Sequence, residues 1–222
     1  MSVMKLFRPE SRSLRWQRKL KRLADFTTAS VGLLVLLPLL AVIACLIRIR
    51  MGRPVLFRQE RPGMNKKPFI AMKFRTMADG KGGDGPPLPD ACRLNPLGVF
   101  LRKTSLDELP QLWNVVKGDI SLVGPRPLLM RYLPYFTEQE CLRFTVPPGI
   151  TGWAQIHGRN EASWGERFAR DVWYVENWTL WLDARILFRT VFKVLGSKGI
   201  VVDARSIMLD LDEERRQMKP GN

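Results

Sequence analysis

Two adjacent carboxylates, Asp107 and Glu108, are the side chains in this sequence best suited to chemistry. The 222-residue chain holds one histidine, His157, and three scattered cysteines, Cys45, Cys92 and Cys141, none in a C-x-x-C pair. Neither a zinc site nor a disulfide framework is supported, and a reducing compartment fits. Acid–base or covalent chemistry therefore falls to carboxylates. The pair lies in Lys103-Thr104-Ser105-Leu106-Asp107-Glu108-Leu109-Pro110-Gln111-Leu112-Trp113-Asn114. Ser105 and Glu108 fit a capping box, and Leu109, Leu112, Trp113 and Val116 recur at helical spacing, which predicts a helix starting here. Asp107 and Glu108 would then occupy its first turn, at the positive end of the helix dipole, where carboxylates and phosphates are both favoured. Simple helix capping is the alternative reading of so short a pattern.

Cations surround the pair in sequence. Lys73 and Arg75 alternate at the end of an expected strand and share a face, as a phosphate-binding or merely solvated edge. Arg102 stands five residues before Asp107, where it can hold a carboxylate ionised or grip a phosphate. Arg126 is set between Pro125 and Pro127, which restrict its backbone and favour recognition of a phosphate or carboxylate. Arg159 closes a second rigid loop, Pro147-Pro148-Gly149-Ile150-Thr151-Gly152-Trp153-Ala154-Gln155 followed by Gly158-Arg159-Asn160.

A net charge of +15 and a pI near 10.4 call for a polyanionic partner: nucleic acid, an anionic membrane or phosphorylated substrates. The run Val31 to Ile47 is free of charge and almost wholly apolar. As a helix it reaches roughly 26 Å, against a hydrocarbon core of about 30 Å. Basic clusters flank it on both sides, so a crossing would place one of them outside, against the positive-inside tendency. With Pro38 near the middle, the expectation is a re-entrant helix hairpin kinked at that proline, with both flanks among anionic headgroups on one face. A single-pass anchor is the alternative.

The remaining elements are expected to position the pair. Pro54–Gln59 and Phe69–Phe74 read as a short β-hairpin across a charged turn. Ala78 to Asp90 is a Gly/Pro/Asp-rich loop without a P-loop pattern. From Trp164 to Leu195 aromatics and arginines interleave at helical spacing, as in amphipathic interfacial helices. Asp210 to Asn222 reads as a polar, disordered tail. The fold class is α+β, mainly helical, around a small catalytic core. Residues 1–50 form a basic N-terminus and membrane helix, 51–200 the core and 201–222 the tail.

Together, Arg61-Pro62-Gly63, Lys73-Phe74-Arg75-Thr76-Met77, Leu101 to Leu112, Val123-Gly124-Pro125-Arg126-Pro127 and Pro148 to Gln155 with Gly158-Arg159-Asn160 closely resemble the bacterial sugar transferase family of monotopic phosphoglycosyl transferases. The likeness runs from about residue 18 to 200, in the family's order. It implies a Mg²⁺-dependent enzyme of the inner membrane, with its core on the cytoplasmic side and no nucleic-acid partner. The reaction implied passes a hexose 1-phosphate from a UDP-sugar to undecaprenyl phosphate, releasing UMP, at the start of surface glycan assembly. The catalytic dyad falls on Asp107, as nucleophile, and Glu108, with the metal beside them. The family's motif cations fall on Lys73, Arg75, Arg102, Arg126 and Arg159, and its helix-breaking proline on Pro38. Leu37 stands where relatives often carry serine. The chain also looks like a minimal core, without the N-terminal membrane region of larger members. A nucleotide-sugar hydrolase and a non-catalytic basic binding protein are the rival readings. No motif specifies the sugar or an oligomeric state.

Overall fold

The computed structural model describes residues 12–77, 93–158, 162–196 and 210–218. Helices dominate, and two small two-stranded sheets complete the core. The first helix, α1 (Arg12–Met51), contains the apolar run, and the stretch Leu14–Met51 is long and apolar enough to cross a membrane. A hairpin of two arms is the sequence expectation. Helical residues run continuously through Pro38, which removes one backbone donor and crowds the carbonyl of Leu34.

One face of α1 is buried at two places, on either side of its exposed middle. Asp25 and Ala29 precede Pro38 on this face, and Ile43 and Ile47 follow it, at the three-to-four-residue recurrence that shares a helix face. Ala29 packs with Phe69, Ala71, Val115 and Ile120, while Ile43 and Ile47 pack with Phe74 and Leu101. The opposite side exposes Val31, Leu34, Val35, Leu37 and Val42.

The expected hairpin is present as β1 (Leu56–Pro62) antiparallel to β2 (Pro68–Phe74), with Phe57 opposite Lys73. Helix α2 (Pro96–Lys103) follows, with Asn95 as its N-cap accepting from the Gly98 amide. Helix α3 (Gln111–Lys117) ends at Gly118, whose φ of 91° lets the chain turn. Arg22 of α1 caps it, donating to the Val115 and Val116 carbonyls at 2.5 and 2.7 Å. Strand β3 (Ser121–Val123) then pairs in parallel with β4 (Gly149–Thr151). A Cβ on Gly149 would stand 2.1 Å from the Gly124 nitrogen, so glycine is what lets the two proline-rich loops touch.

A short helix α4 (Trp153–Ile156) precedes α5 (Trp164–Glu176) and α6 (Leu180–Leu195), which divide the aromatic region at Asn177. A polar network ties these helices to α1: Lys21 meets Asp183 at 2.6 Å, Tyr174 donates to Asp183 at 2.7 Å, and Ser121 donates to Asp25 at 2.7 Å.

The expectation of a disordered tail is overturned for residues 210–218. Leu211–Gln217 is a helix, α7, because its one apolar side chain finds a place: Leu211 is fully buried with Tyr132, Trp164 and Phe168. Tyr132 donates to Asp210 at 2.7 Å and Arg215 pairs with Glu140 at 2.6 Å. Rim pairs of this kind contribute little, so the helix depends on Leu211. Leu211→Asp is expected to cost about 3 kcal/mol of its docking. Trypsin cleavage at Arg215 and Arg216 in folded protein should accelerate by more than about tenfold; an unchanged rate would show that α7 docks without Leu211.

Candidate active site

Asp107 and Glu108 do not open an α-helix. Ser105 takes a left-handed conformation, φ 57°, which makes no side-chain cap, and Leu106–Glu108 form a single 3-10 turn. Pro110 takes the N-cap place of α3, so the helix starts at Gln111. The capping box that does form is Ser163 with Glu166 on α5. The turn nonetheless presents both carboxylates to a cleft of 1610 Å³ between the hairpin, α2, the Arg126 loop and helices α4 to α6. That exceeds the roughly 300–1,000 Å³ of an ordinary small-molecule pocket and leaves space for two substrates.

The two acids have opposite environments. Lys73 of β2 reaches Glu108 at 2.5 Å and Arg126 reaches it at 2.7 Å, both at Oε1. Burial alone would raise the Glu108 carboxyl, but these two cations outweigh it and hold the group well below the usual carboxylate range. Asp107 accepts no hydrogen bond and forms no ion pair among the described residues. Burial pushes its carboxyl up to about 6; the Glu108 charge adds to the rise, and Lys73, Arg126 and Arg102 oppose it.

The other expected cations are distributed as follows. Arg102, on α2, lines the cleft and donates from Nε to Thr76 at 3.0 Å. Arg75 also lines the cleft, yet its guanidinium is turned to backbone: Nε donates to the Met77 carbonyl, and Nη1 to those of Arg53 and Met51, the last residue of α1. Its position therefore joins α1 to the site. Arg159 and most of the Ala78–Asp90 loop lie outside the described residues.

Several residues of the site are not evident from local sequence. Arg143 and Asp171 form a buried pair at 2.8 Å, their side chains 2% and 5% exposed. The Arg143 guanidinium sits 5.5 Å from the ring centres of Phe136, Phe144 and Phe168, and its Nη2 also donates to the Arg126 backbone carbonyl at 2.7 Å. The signal lies in helix periodicity: Asp171 falls on the stripe of Trp164, Phe168, Val172 and Tyr174, and an acid on an apolar stripe needs a buried partner. Asn114, fully buried, accepts from the Met72 amide and donates to the Ile70 carbonyl and Asp119, fixing α3 against β2. Arg61 and Arg167 complete the cleft wall.

Comparison with known proteins places this architecture. The profile of the bacterial sugar transferase family matches residues 16–197. The chain belongs to the bacterial sugar transferase family. Within that family it is 54% identical over 181 residues to the sugar transferase EpsL of Bacillus subtilis, covering 82% of this chain and 90% of that one. It is 41% identical over 192 residues to the UDP-glucose:undecaprenyl-phosphate glucose-1-phosphate transferase of Escherichia coli, covering 82% of this chain and 41% of that one. The UDP-galactose-lipid carrier transferase of Erwinia amylovora is 38% identical over 199 residues, with 82% and 42% covered. The chain thus spans about two fifths of these two larger members. The family match takes in the acidic pair, both sheets and α1 to α6, and stops short of α7.

Proposed function

We propose that this chain transfers a sugar 1-phosphate from a UDP-sugar to undecaprenyl phosphate, in two steps, with Asp107 as nucleophile. The observation that carries the reading is the contrast inside the acidic pair: Glu108 is held by two cations, while Asp107 is unbonded and faces the cleft. A carboxylate that serves only structure is normally paired. The E. coli and Erwinia relatives supply the substrate class by name.

In the first step an Asp107 oxygen attacks the sugar-bearing phosphorus; the bond to the bridging oxygen breaks, and UMP leaves with that electron pair. In the second an oxygen of undecaprenyl phosphate attacks the same phosphorus and displaces the Asp107 carboxylate, leaving undecaprenyl diphosphate sugar. Lys73, Arg102 and Arg126 lower the repulsion between a carboxylate and an anionic diphosphate.

Mg²⁺ fits the donor set. Both cation contacts of Glu108 fall on Oε1, which leaves Oε2 without a hydrogen bond or ion pair among the described residues, and Mg²⁺ is commonly held by one or two carboxylates plus substrate phosphates. Bound there, the ion supplies charge neutralisation on the diphosphate. No group of three metal-ligating side chains occurs among the described residues, so substrate and water complete the shell.

The setting we propose is the cytoplasmic face of the inner membrane, with α1 bent at Pro38 into one leaflet. The helix meets the core before Pro38 at Ala29 and after it at Ile43 and Ile47, and the stretch without a buried residue between them, Ser30 to Val42, reaches only about 20 Å as a helix, short of the roughly 30 Å hydrocarbon core. Helix α6 exposes Trp181, Phe188, Val191 and Phe192 beside Arg185 and Arg189, the composition of a headgroup-level helix. Replacing Trp181, Phe188 and Phe192 together with glutamate should weaken binding to anionic vesicles by more than about tenfold. Unchanged co-sedimentation would remove α6 from the interface.

The reaction itself is tested by intact mass of detergent-solubilised protein after UDP-sugar and Mg²⁺, without acceptor. A hexose-phosphate adduct that undecaprenyl phosphate discharges supports both steps. Hydrolysed donor without adduct favours a hydrolase.

A further inference from the structure

Two arginines of the cleft have no carboxylate of their own. Arg61, at the end of β1, has the Gln59 side chain as its hydrogen-bond partner, and Arg167, in the first turns of α5, donates from Nε to the Ala162 carbonyl at 2.9 Å. Both partners are neutral, and neither arginine forms an ion pair among the described residues. Arg167 also lies 5.1 Å above the Trp164 ring, which holds the guanidinium without neutralising it. Arg126 lines the same cleft, and its ion-pair partner, Glu108, is shared with Lys73. The nearby Asp171 is taken by Arg143.

The surplus of positive charge has a measurable signature. Desolvation and the repulsion of Arg126 bring the Arg61 guanidinium down to about 10, and the same two causes lower Arg167. Partly buried guanidinium groups brought together without counter-ions form a site for an anion, and a planar fork suits phosphate oxygens.

We infer that Arg61 and Arg167, which line the same cleft as Arg126 and are held only by neutral partners, form a second phosphate-binding position beside the one at Asp107. This rests on the two-step reading above, which involves three phosphate groups: the one attacked, the one that leaves on the nucleotide, and the one on the acceptor. The second position takes a phosphate monoester, either that of the departing nucleoside monophosphate or that of the polyprenyl phosphate. Neither residue performs a covalent step there. Each holds an anion next to the reacting phosphorus.

The test uses the full chain in detergent, as wild type, Arg61→Gln, Arg167→Gln and the double variant, with Arg167→Lys to restore charge without the fork. Binding of UMP and of a short-chain polyprenyl phosphate is measured directly, and adduct formation and discharge are timed by intact mass. For a nucleotide phosphate, the double variant should bind UMP about tenfold or more weakly and form adduct slowly, yet discharge at the wild-type rate. For an acceptor phosphate, UMP binding and adduct formation should be unchanged, while polyprenyl phosphate binding and discharge fall about tenfold. In either arm Arg167→Lys should recover part of the loss. Binding of both probes within twofold of wild type in the double variant would overturn the assignment. Wild-type protein that forms no adduct while the variants still lose binding would refute the covalent reading and leave the phosphate position standing.

Discussion

Asp107→Asn is expected to abolish turnover and to leave a more stable protein. Removing the proposed nucleophile should lower kcat by about 10⁴-fold or more and leave no adduct by intact mass. The gain in stability follows from the raised carboxyl. Its folded value of about 6 lies above the 3.8 of an ordinary aspartate, so the folded state binds this proton more tightly than the unfolded state. Stability from this group is therefore fully present below about pH 4 and is lost as pH rises through 6. Above that, ionised Asp107 costs on the order of 2–3 kcal/mol, which asparagine avoids. Metal-free Asp107→Asn should thus unfold later than wild type at pH 7.5, with the two converging near pH 4. Adduct formation by wild type should climb about tenfold per pH unit up to 6 and then level. Equal stability of the two proteins at pH 7.5 would show that Asp107 is not the strained acid of the site.

The largest loss of stability is expected from Asp171→Ala. It leaves the Arg143 guanidinium unpaired in a cage of three phenylalanine rings, and breaking a buried pair from one side typically costs about 3–5 kcal/mol. Removing both partners, as Arg143→Met with Asp171→Leu, should restore most of that stability, since no charge is then stranded. Activity should not return with it. Arg143 holds the Arg126 carbonyl, and Arg126 holds Glu108, so the folded double variant should retain less than about a tenth of wild-type kcat/KM. Urea unfolding and steady-state rates on the three variants separate the effects. A double variant with full activity would reduce Arg143 to a packing residue.

The parts of the site that were legible in sequence carry their chemistry in local spacing. The acidic pair, the strand bearing Lys73 and the proline-flanked Arg126 are each readable within a dozen residues, and the structure brings all three together at Glu108. Local spacing misled where a long-range contact decided the outcome. Ser105 fits a capping box, but the turn that aims Asp107 into the cleft needs it left-handed. Arg75 reads as a phosphate ligand, and the backbone carbonyls of Met51, Arg53 and Met77 claim its guanidinium. The tail is polar in composition, yet Leu211 alone suffices to seat it because Tyr132, Trp164 and Phe168 wait 43 or more residues upstream. The parallel β3–β4 pair was hidden for a similar reason: three-residue strands carry no periodicity, and only glycines at 124 and 149 hint that two loops meet.

The seating of α1 has a kinetic consequence. Arg22 fastens one part of it to α3, and Arg75 fastens its last residue to β2, so its exposed crest from Val31 to Val42 and Asp107 belong to one rigid body. On the proposed reaction, such a body, once embedded, would keep its acidic pair at one height above the hydrocarbon and meet the lipid acceptor by diffusion in two dimensions. Its rate should then follow the mole fraction of acceptor in the leaflet rather than its bulk concentration, and adding inert lipid at constant acceptor should slow it.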